Sequence, residues 1–243
     1  MEFDRSLFIA TLTHGLGKWG LAHLEPKVEE MLIFAELIIE TNKSLNLTRI
    51  VDPKEMAGKN FLDSLSLLKM HWPETMHVLD LGTGAGFPGV PLALARPNWT
   101  VVLLDSLKKR LTFLDAASKS LGLTNIRTVH ARGEDAGQSE EHREMYNLVV
   151  SRAVANLPVL LELCAPLVKV DGYFVAYKSG EVGVEINKSA KALEELKMSL
   201  EQTFPLDLPF ELGERTLLLF KKMGPTPSKY PRRAGLPNRR PLE

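Results

Sequence analysis

The sequence predicts an α/β protein: a mostly parallel central sheet with helices on both faces, preceded by a helical extension and followed by a basic tail. Three observations predict it. From Met76 onward, short β-rich runs alternate with helix-length segments, the signature of βαβ units. Before Met76, apolar residues recur at three- and four-residue steps with little strand signal. After Lys222 the chain is crowded with proline and cations. The expected divisions are 1–75 for the extension, 76–223 for the core and 224–243 for the tail, together forming one structural unit.

The elements follow in order. Val28, Met31, Leu32, Ala35, Ile38 and Ile39 place an amphipathic helix over about Glu25–Asn42, with Pro26 suited to its first turn. Asp52-Pro53 reads as an N-cap with proline at the first helical position, opening a helix that carries Phe61, Leu62, Leu65 and Leu68 on one face. Strands are expected at 76–81, 100–105, 125–130, 146–151, 172–178 and 215–222, and helices near 89–96, 107–121, 157–168 and 183–199. Glu211-Leu212-Gly213-Glu214 suits a hairpin-like return, which would make the last strand antiparallel. Beyond it the prolines argue against regular structure.

Composition excludes several classes. Lys+Arg and Asp+Glu balance at 30 each, so the total charge points to no polyanion partner. The distribution does: Lys221, Lys222, Lys229, Arg232, Arg233, Arg239 and Arg240 face a single acid, Glu243, at the end of the chain. That asymmetry suits a nucleic-acid contact. One cysteine, Cys164, precludes an intramolecular disulfide and sits in an apolar run as a core thiol. Acids at Glu2 and Asp4 do not resemble the basic start of a signal peptide. No apolar run approaches the ~18 residues of a membrane span. A cytoplasmic protein is expected. His14, His23, His71, His77, His130 and His142 lack metal-ligand spacing, so no metal is expected.

The chemistry concentrates at Leu79-Asp80-Leu81-Gly82-Thr83-Gly84-Ala85-Gly86-Phe87-Pro88-Gly89. An apolar strand ends in an acid and enters a loop of alternating glycines, whose backbone a ligand can approach closely. The next strand ends in Asp105, where an α/β nucleotide fold holds ribose hydroxyls. Spacing G-x-G-x-G behind Asp80 departs from the dinucleotide pattern, and the acid would repel a pyrophosphate. It suits an ammonium group, such as the amino-acid end of S-adenosylmethionine. Ala131-Arg132-Gly133-Glu134-Asp135 follows the third strand, where Glu134 or Asp135 would accept from an adenine amino group. Asp135 as a helix N-cap is the other reading of that residue. Arg152, in Ser151-Arg152-Ala153 at the end of the fourth strand, is placed to grip a cofactor carboxylate or a substrate phosphate.

These segments, with Asn46-Leu47-Thr48, Phe61-Leu62-Asp63-Ser64-Leu65, Asp105-Ser106-Leu107-Lys108-Lys109-Arg110 and Lys229-Tyr230-Pro231-Arg232-Arg233, resemble the RsmG (GidB) family of bacterial 16S ribosomal RNA guanine-N7 methyltransferases. The resemblance runs in order from about Leu45 to Pro241. It implies a class I S-adenosylmethionine-dependent fold, Rossmann-like, acting as a monomer on 16S ribosomal RNA or the small ribosomal subunit. It implies that Gly82 and Phe87 line the methyl donor, that Gly133 and Glu134 lie by its adenine, and that Arg152 binds nearby. The chain departs from the family pattern at Asn60, where a basic or imidazole side chain is usual. The expected donor-binding residues are Asp80, Gly82, Gly84, Gly86, Phe87, Asp105, Ser106, Gly133, Glu134 and Arg152; no acid or base is assigned, and Arg152 is the positioning candidate. The expected RNA contacts are Lys229, Arg232, Arg233, Arg239 and Arg240, in an extended tail whose removal should leave donor affinity intact. A class I methyltransferase of protein or small molecules, and a non-catalytic ribosome-binding protein with a vestigial cofactor fold, are the competing readings. The basic tail argues against the first; the intact loop with Asp105 and Arg152 argues against the second.

Overall fold

The computed structural model describes residues 3–152 and 155–243; Met1, Glu2, Ala153 and Val154, including the last residue of the Ser-Arg-Ala motif, lie outside the described residues. The strands are β1 (Met76–Leu81), β2 (Trp99–Asp105), β3 (Ile126–His130), β4 (Tyr146–Arg152), β5 (Val168–Lys178), β6 (Met198–Asp207) and β7 (Glu214–Lys222). They form one sheet in the order β3-β2-β1-β4-β5-β7-β6. The first five strands pair in parallel, and β7 runs antiparallel between β5 and β6. The strand order reverses between β1 and β4, so a crevice opens beyond their carboxyl ends.

Helices α1 (Arg5–Lys18), α2 (Val28–Leu45), α3 (Pro53–Glu55), α4 (Asp63–Leu65), α5 (Gly89–Ala95) and α6 (Lys108–Ser120) belong to one side of the molecule. Phe8, Phe34, Phe61 and Phe87 from this set pack with Val78, Val101 and Leu148 of the sheet in a single core. Helices α7 (Gly133–Gln138), α8 (Leu157–Cys164), α9 (Gly183–Lys188), α10 (Ala190–Leu196) and α11 (Leu236–Arg239) complete the chain. Leu157, Leu160 and Leu161 of α8 join Leu79, Val102 and Val149 in the core on the other face. Along each central strand alternate residues go to opposite cores, as the pleat requires.

Several sequence expectations need adjustment. Asp52 caps α3 as expected, its carboxylate accepting from the Glu55 amide at 2.9 Å, with Pro53 in the first turn. The helix that follows is interrupted by a π-helical stretch, Met56–Leu62, before α4. The single helix expected near 183–199 is two, broken at Ser189, and the chain from Met198 onward is strand. β6 was not predicted: it is a largely exposed edge strand interrupted by Pro205, so it lacks an apolar run. The tail contains a helical turn, with Pro237 in its first turn, where proline costs no hydrogen bond.

Two loop glycines separate packing from ligand space. A Cβ at Gly86, where φ is +101°, would lie 2.8 Å from Leu114 and 2.9 Å from Phe34 and Val90. A Cβ at Gly84, where φ is +59°, would meet nothing closer than the Gly82 carbonyl at 3.9 Å. Gly84→Ala is therefore expected to cost about 1–2 kcal/mol from backbone strain alone, and Gly86→Ala a further 1–3 kcal/mol or so from overpacking. Urea unfolding checks the order; equal losses would contradict it.

Candidate functional site

The glycine loop is held from below by two carboxylates. Asp80 ends β1 fully buried, and its Oδ2 accepts from the Gly89 amide at 2.8 Å, at the start of α5. Its Oδ1 and the Thr83 hydroxyl are buried beneath the loop without a well-formed hydrogen bond among the described residues. Asp105 ends β2. Its Oδ2 accepts from the Gly84 amide at 3.0 Å and from Arg110 Nη1 at 3.2 Å, and its Oδ1 from the Leu107 amide at 2.8 Å. Gly82 and Thr83 donate to the Leu104 carbonyl at 2.8 and 3.1 Å. The loop thus folds back over the end of β2, with Gly82, Gly84 and Gly86 all at positive φ.

Three cavities open along the carboxyl edge of the sheet. The first, about 390 Å³, is lined by the loop from Gly82 to Ala85, Phe87, Leu47, Thr48, Asn60, Arg110 and Arg152. The second, about 270 Å³, shares Gly82 and continues past Ser106, Ala131, Gly133 and Glu134. The third, about 410 Å³, shares Asn60 and Arg152 with the first and is bounded by Asp63, Tyr177, Lys178 and Arg215. Gly82, Gly84, Phe87, Ser106, Gly133, Glu134 and Arg152 therefore border the first two cavities together. Asp80, Asp105 and Gly86 stand behind them and shape the loop.

Arg152 divides the crevice. Its Nη1 donates to the Lys59 carbonyl at 2.9 Å and Asp63 Oδ2 at 3.0 Å, and its Nη2 to Asn60 Oδ1 at 3.3 Å. The guanidinium lies 5.3 Å from the Phe87 ring centre, within cation–π range. The Nε–H and one Nη2–H have no partner among the described residues.

The tail corrects the expectation of an extended segment: it folds back on the core through ion pairs. Arg232 Nε donates to Glu162 Oε1 at 2.8 Å, and Glu162 on α8 is fully buried. Arg232 also donates to the Arg240 carbonyl at 2.7 Å, closing the tail on itself. Lys229 pairs with Glu195 at 2.9 Å, and Tyr230 is buried with its hydroxyl donating to the same carboxylate at 3.2 Å. Arg143 donates to the carbonyls of Thr226 and Tyr230 at 2.7 and 2.8 Å. Lys222 is fully buried against Glu144, and burial pushes its ammonium down to about 8 while Glu144 pulls it back up. The physical reason is partner supply: the core presents the buried acid Glu162 and the half-buried acids Glu144, Glu195 and Glu134, so a proline-rich chain packs with little regular structure. Arg233, Arg239 and Arg240 remain exposed.

The tail also reaches the crevice. The Gly235 amide donates to Glu134 Oε1 at 2.9 Å, and Gly235 and Asn238 line the second cavity. Sequence reasoning assigned that cavity to Gly133 and Glu134 but missed the tail residues, Asp63, and Arg215 of the third cavity. Asp63 stood in a motif already noted; Gly235 and Asn238 carry no local signal, because they arrive from about a hundred residues away.

Comparisons with known proteins agree with this geometry. The family model for GidB, rRNA small subunit methyltransferase G, matches residues 27–210. This chain belongs to that family. It is 50% identical over 210 residues to the ribosomal RNA small subunit methyltransferase G of Desulforamulus reducens, covering 86% of this chain and 88% of that one. It is 44% identical to the protein of that name from Lachnoclostridium phytofermentans, covering 98% of both. Among solved structures, the 16S rRNA (adenine(1408)-N(1))-methyltransferase of Catenulisporales acidiphilia superposes with a TM-score of 0.51 at 16% identity, over 63% of this chain and 87% of that one. The YcgJ protein of Bacillus subtilis gives 0.50 at 13% identity, over 66% and 99%. The fold is that of class I methyltransferases. No helix among the described residues is long and apolar enough to cross a membrane.

Three outcomes follow for this family member. Burial raises the Asp80 carboxyl from 3.8 to about 6, with the nearby Thr83 hydroxyl and the hydrogen bond from the Gly89 amide opposing. The folded state therefore holds this proton more tightly than the unfolded chain, and the associated stability, present below pH 4, is lost as pH rises through 6. The uncharged Asp80→Asn variant should gain on the wild type across that window by about 3 kcal/mol at most. Urea titrations from pH 4 to 7 check it; a constant gap would contradict it. Second, Arg232→Ala strands the buried Glu162 carboxylate and should cost about 3 kcal/mol. Third, truncation before Ser228 should weaken binding of S-adenosylhomocysteine, the reverse of the sequence expectation. Calorimetry showing unchanged affinity would contradict it.

Proposed function

We propose that this chain transfers a methyl group from S-adenosylmethionine to N7 of a guanine in 16S ribosomal RNA, in the bacterial cytoplasm. The observation that carries the reading is the continuous crevice at the strand ends. Two cavities suit a donor, and the third meets the first of them at Arg152 and Asn60. Family membership supplies the substrate class.

The residues present fit the donor. Open space lies above Gly84, and the buried Asp80 Oδ1 and Thr83 hydroxyl beneath the loop have no well-formed hydrogen bond among the described residues. Gly82, Gly84 and Phe87 would hold its amino-acid end, Ser106, Gly133 and Glu134 its adenine, and Asp105 its ribose through lone pairs not spent on the loop. When bound, S-adenosylmethionine supplies a methyl group on a positively charged sulfur.

Guanine N7 carries an in-plane lone pair and no proton, so the protein needs no base to activate it. Its work is alignment and exclusion of water. Arg152 does both: fixed by Lys59, Asn60 and Asp63, it walls the passage between cavities and leaves donors to orient a carboxylate or phosphate. Cys164 offers no alternative chemistry, since burial on α8 pushes its thiol well up. The exposed Arg233, Arg239 and Arg240, on the rim beyond the second cavity, are suited to phosphate contact.

Mass-spectrometric mapping of 16S RNA from cells with and without the protein tests the reading. A single 7-methylguanosine present only with the protein is expected, together with micromolar S-adenosylhomocysteine binding, about 8 kcal/mol. An unchanged methylation map would contradict it.

A further inference from the structure

Two polar atoms in the third cavity's wall have no work in the fold. Asn60 Nδ2 and Asp63 Oδ1 are buried with no hydrogen-bond partner among the described residues. Both residues are more than nine-tenths buried, at 4% and 2% exposure. Their other atoms are engaged: Asn60 Oδ1 accepts from Arg152, and Asp63 Oδ2 accepts from Arg152 at 3.0 Å and pairs with Arg215 at 3.3 Å. An unmet buried donor and an unmet buried acceptor, three residues apart, are costly to keep in a folded protein. They stand on and just beyond the π-helical stretch Met56–Leu62, a distortion that often marks functional positions.

We infer that Asn60 and Asp63 read the target guanine, Asn60 Nδ2 donating to O6 and Asp63 Oδ1 accepting from N1–H. The inference rests on the proposed reaction and names the residues that choose its base. The order of the groups supports it. Asn60 borders both the glycine-loop cavity and the third cavity, whereas Asp63 borders the third alone. In guanine, N7 and N1 flank O6 on opposite sides. A base in the third cavity with N7 facing the passage would bring O6 to Asn60 and N1 deeper, to Asp63. Adenine presents an amino group and a bare nitrogen at these places, so it would set donor against donor and acceptor against acceptor. A slight turn of the two side chains on base entry brings the buried atoms to it. Asn60 departs from the family pattern yet keeps a donor there, since an amide N–H donates as a basic or imidazole side chain would. Asp63 also draws on the N1 proton as N7 gains a bond to carbon, which offsets the positive charge left on the base.

The test is a charge-preserving exchange. The variants are Asn60→Asp, Asp63→Asn and the double exchange N60D/D63N. Substrates are small subunits reconstituted with 16S RNA carrying guanosine, inosine or 2,6-diaminopurine at the methylated position. Each variant is first shown to unfold cooperatively and to bind S-adenosylhomocysteine. Asn60→Asp should lower kcat/KM on guanosine roughly 100-fold, as expected when a site's hydrogen-bond pattern is broken. Inosine, which keeps O6 and N1–H, should track guanosine for every variant. The double exchange should raise the ratio of diaminopurine to guanosine rate at least tenfold over the wild type. If Asp63→Asn or the double exchange fails to fold, Asn60→Asp with guanosine, inosine and diaminopurine still decides. It should lower the first two alike and spare the third. Equal losses on all three bases, or no loss on guanosine, would overturn the assignment while leaving guanine methylation intact. A wild-type protein that methylates none of the substrates would overturn the proposed reaction, and the assignment with it.

Discussion

The arrangement turns on the contact between Arg152 and the segment around Asp63. One guanidinium joins the end of β4 to the helical extension through Lys59, Asn60 and Asp63, and Arg215 from β7 closes on the same carboxylate. Tyr177 of β5 adds a further polar tie, its hydroxyl donating to the Ser64 carbonyl at 2.8 Å. With these ties, the π-helical stretch is set at the mouth of the crevice, and a continuous groove becomes two sites sharing one wall. Charge at that wall is net positive: two guanidinium groups share the single Asp63 carboxylate, and Arg152 retains donors for a ligand.

The glycine loop obeys a different constraint. It must approach a ligand with bare backbone and still hold its shape. Two interior carboxylates supply the shape, Asp80 through the Gly89 amide and Asp105 through the amides of Gly84 and Leu107. Burial raises the proton affinity of Asp80, since it favours the neutral form. The tail adds an outer wall. Its buried ion pair with Glu162 and its amide bond to Glu134 couple the last residues of the chain to the loop after β3.

Much of this was legible in the sequence, and the pattern of success follows from range. The central parallel strands β1, β2 and β4 show as apolar runs because both their faces are buried. Asp52, Asp80, Asp105 and the glycines are legible because capping and tight turns are local requirements. β6 was not, since an exposed edge strand needs no apolar run. Arg232 was misread as a free cation because its partner, Glu162, lies 70 residues away and nothing local marks it as buried. Gly235 and Asn238 were missed at the second cavity for the same reason. Asn60 was singled out only as a departure from the family pattern; its place between two cavities is a fact of tertiary structure.

A crystal structure of the full chain with S-adenosylhomocysteine tests the central claim, that the crevice is divided at Arg152 with the donor on the glycine side. The account expects the amino-acid end of the ligand beside Gly82, Gly84 and Phe87, its adenine between Gly133 and Asn238, the Gly235–Glu134 bond intact and the cavity of Asp63 and Arg215 left free. A ligand seated against Asp63 and Arg215, or a tail displaced from Glu134 when it binds, would contradict it.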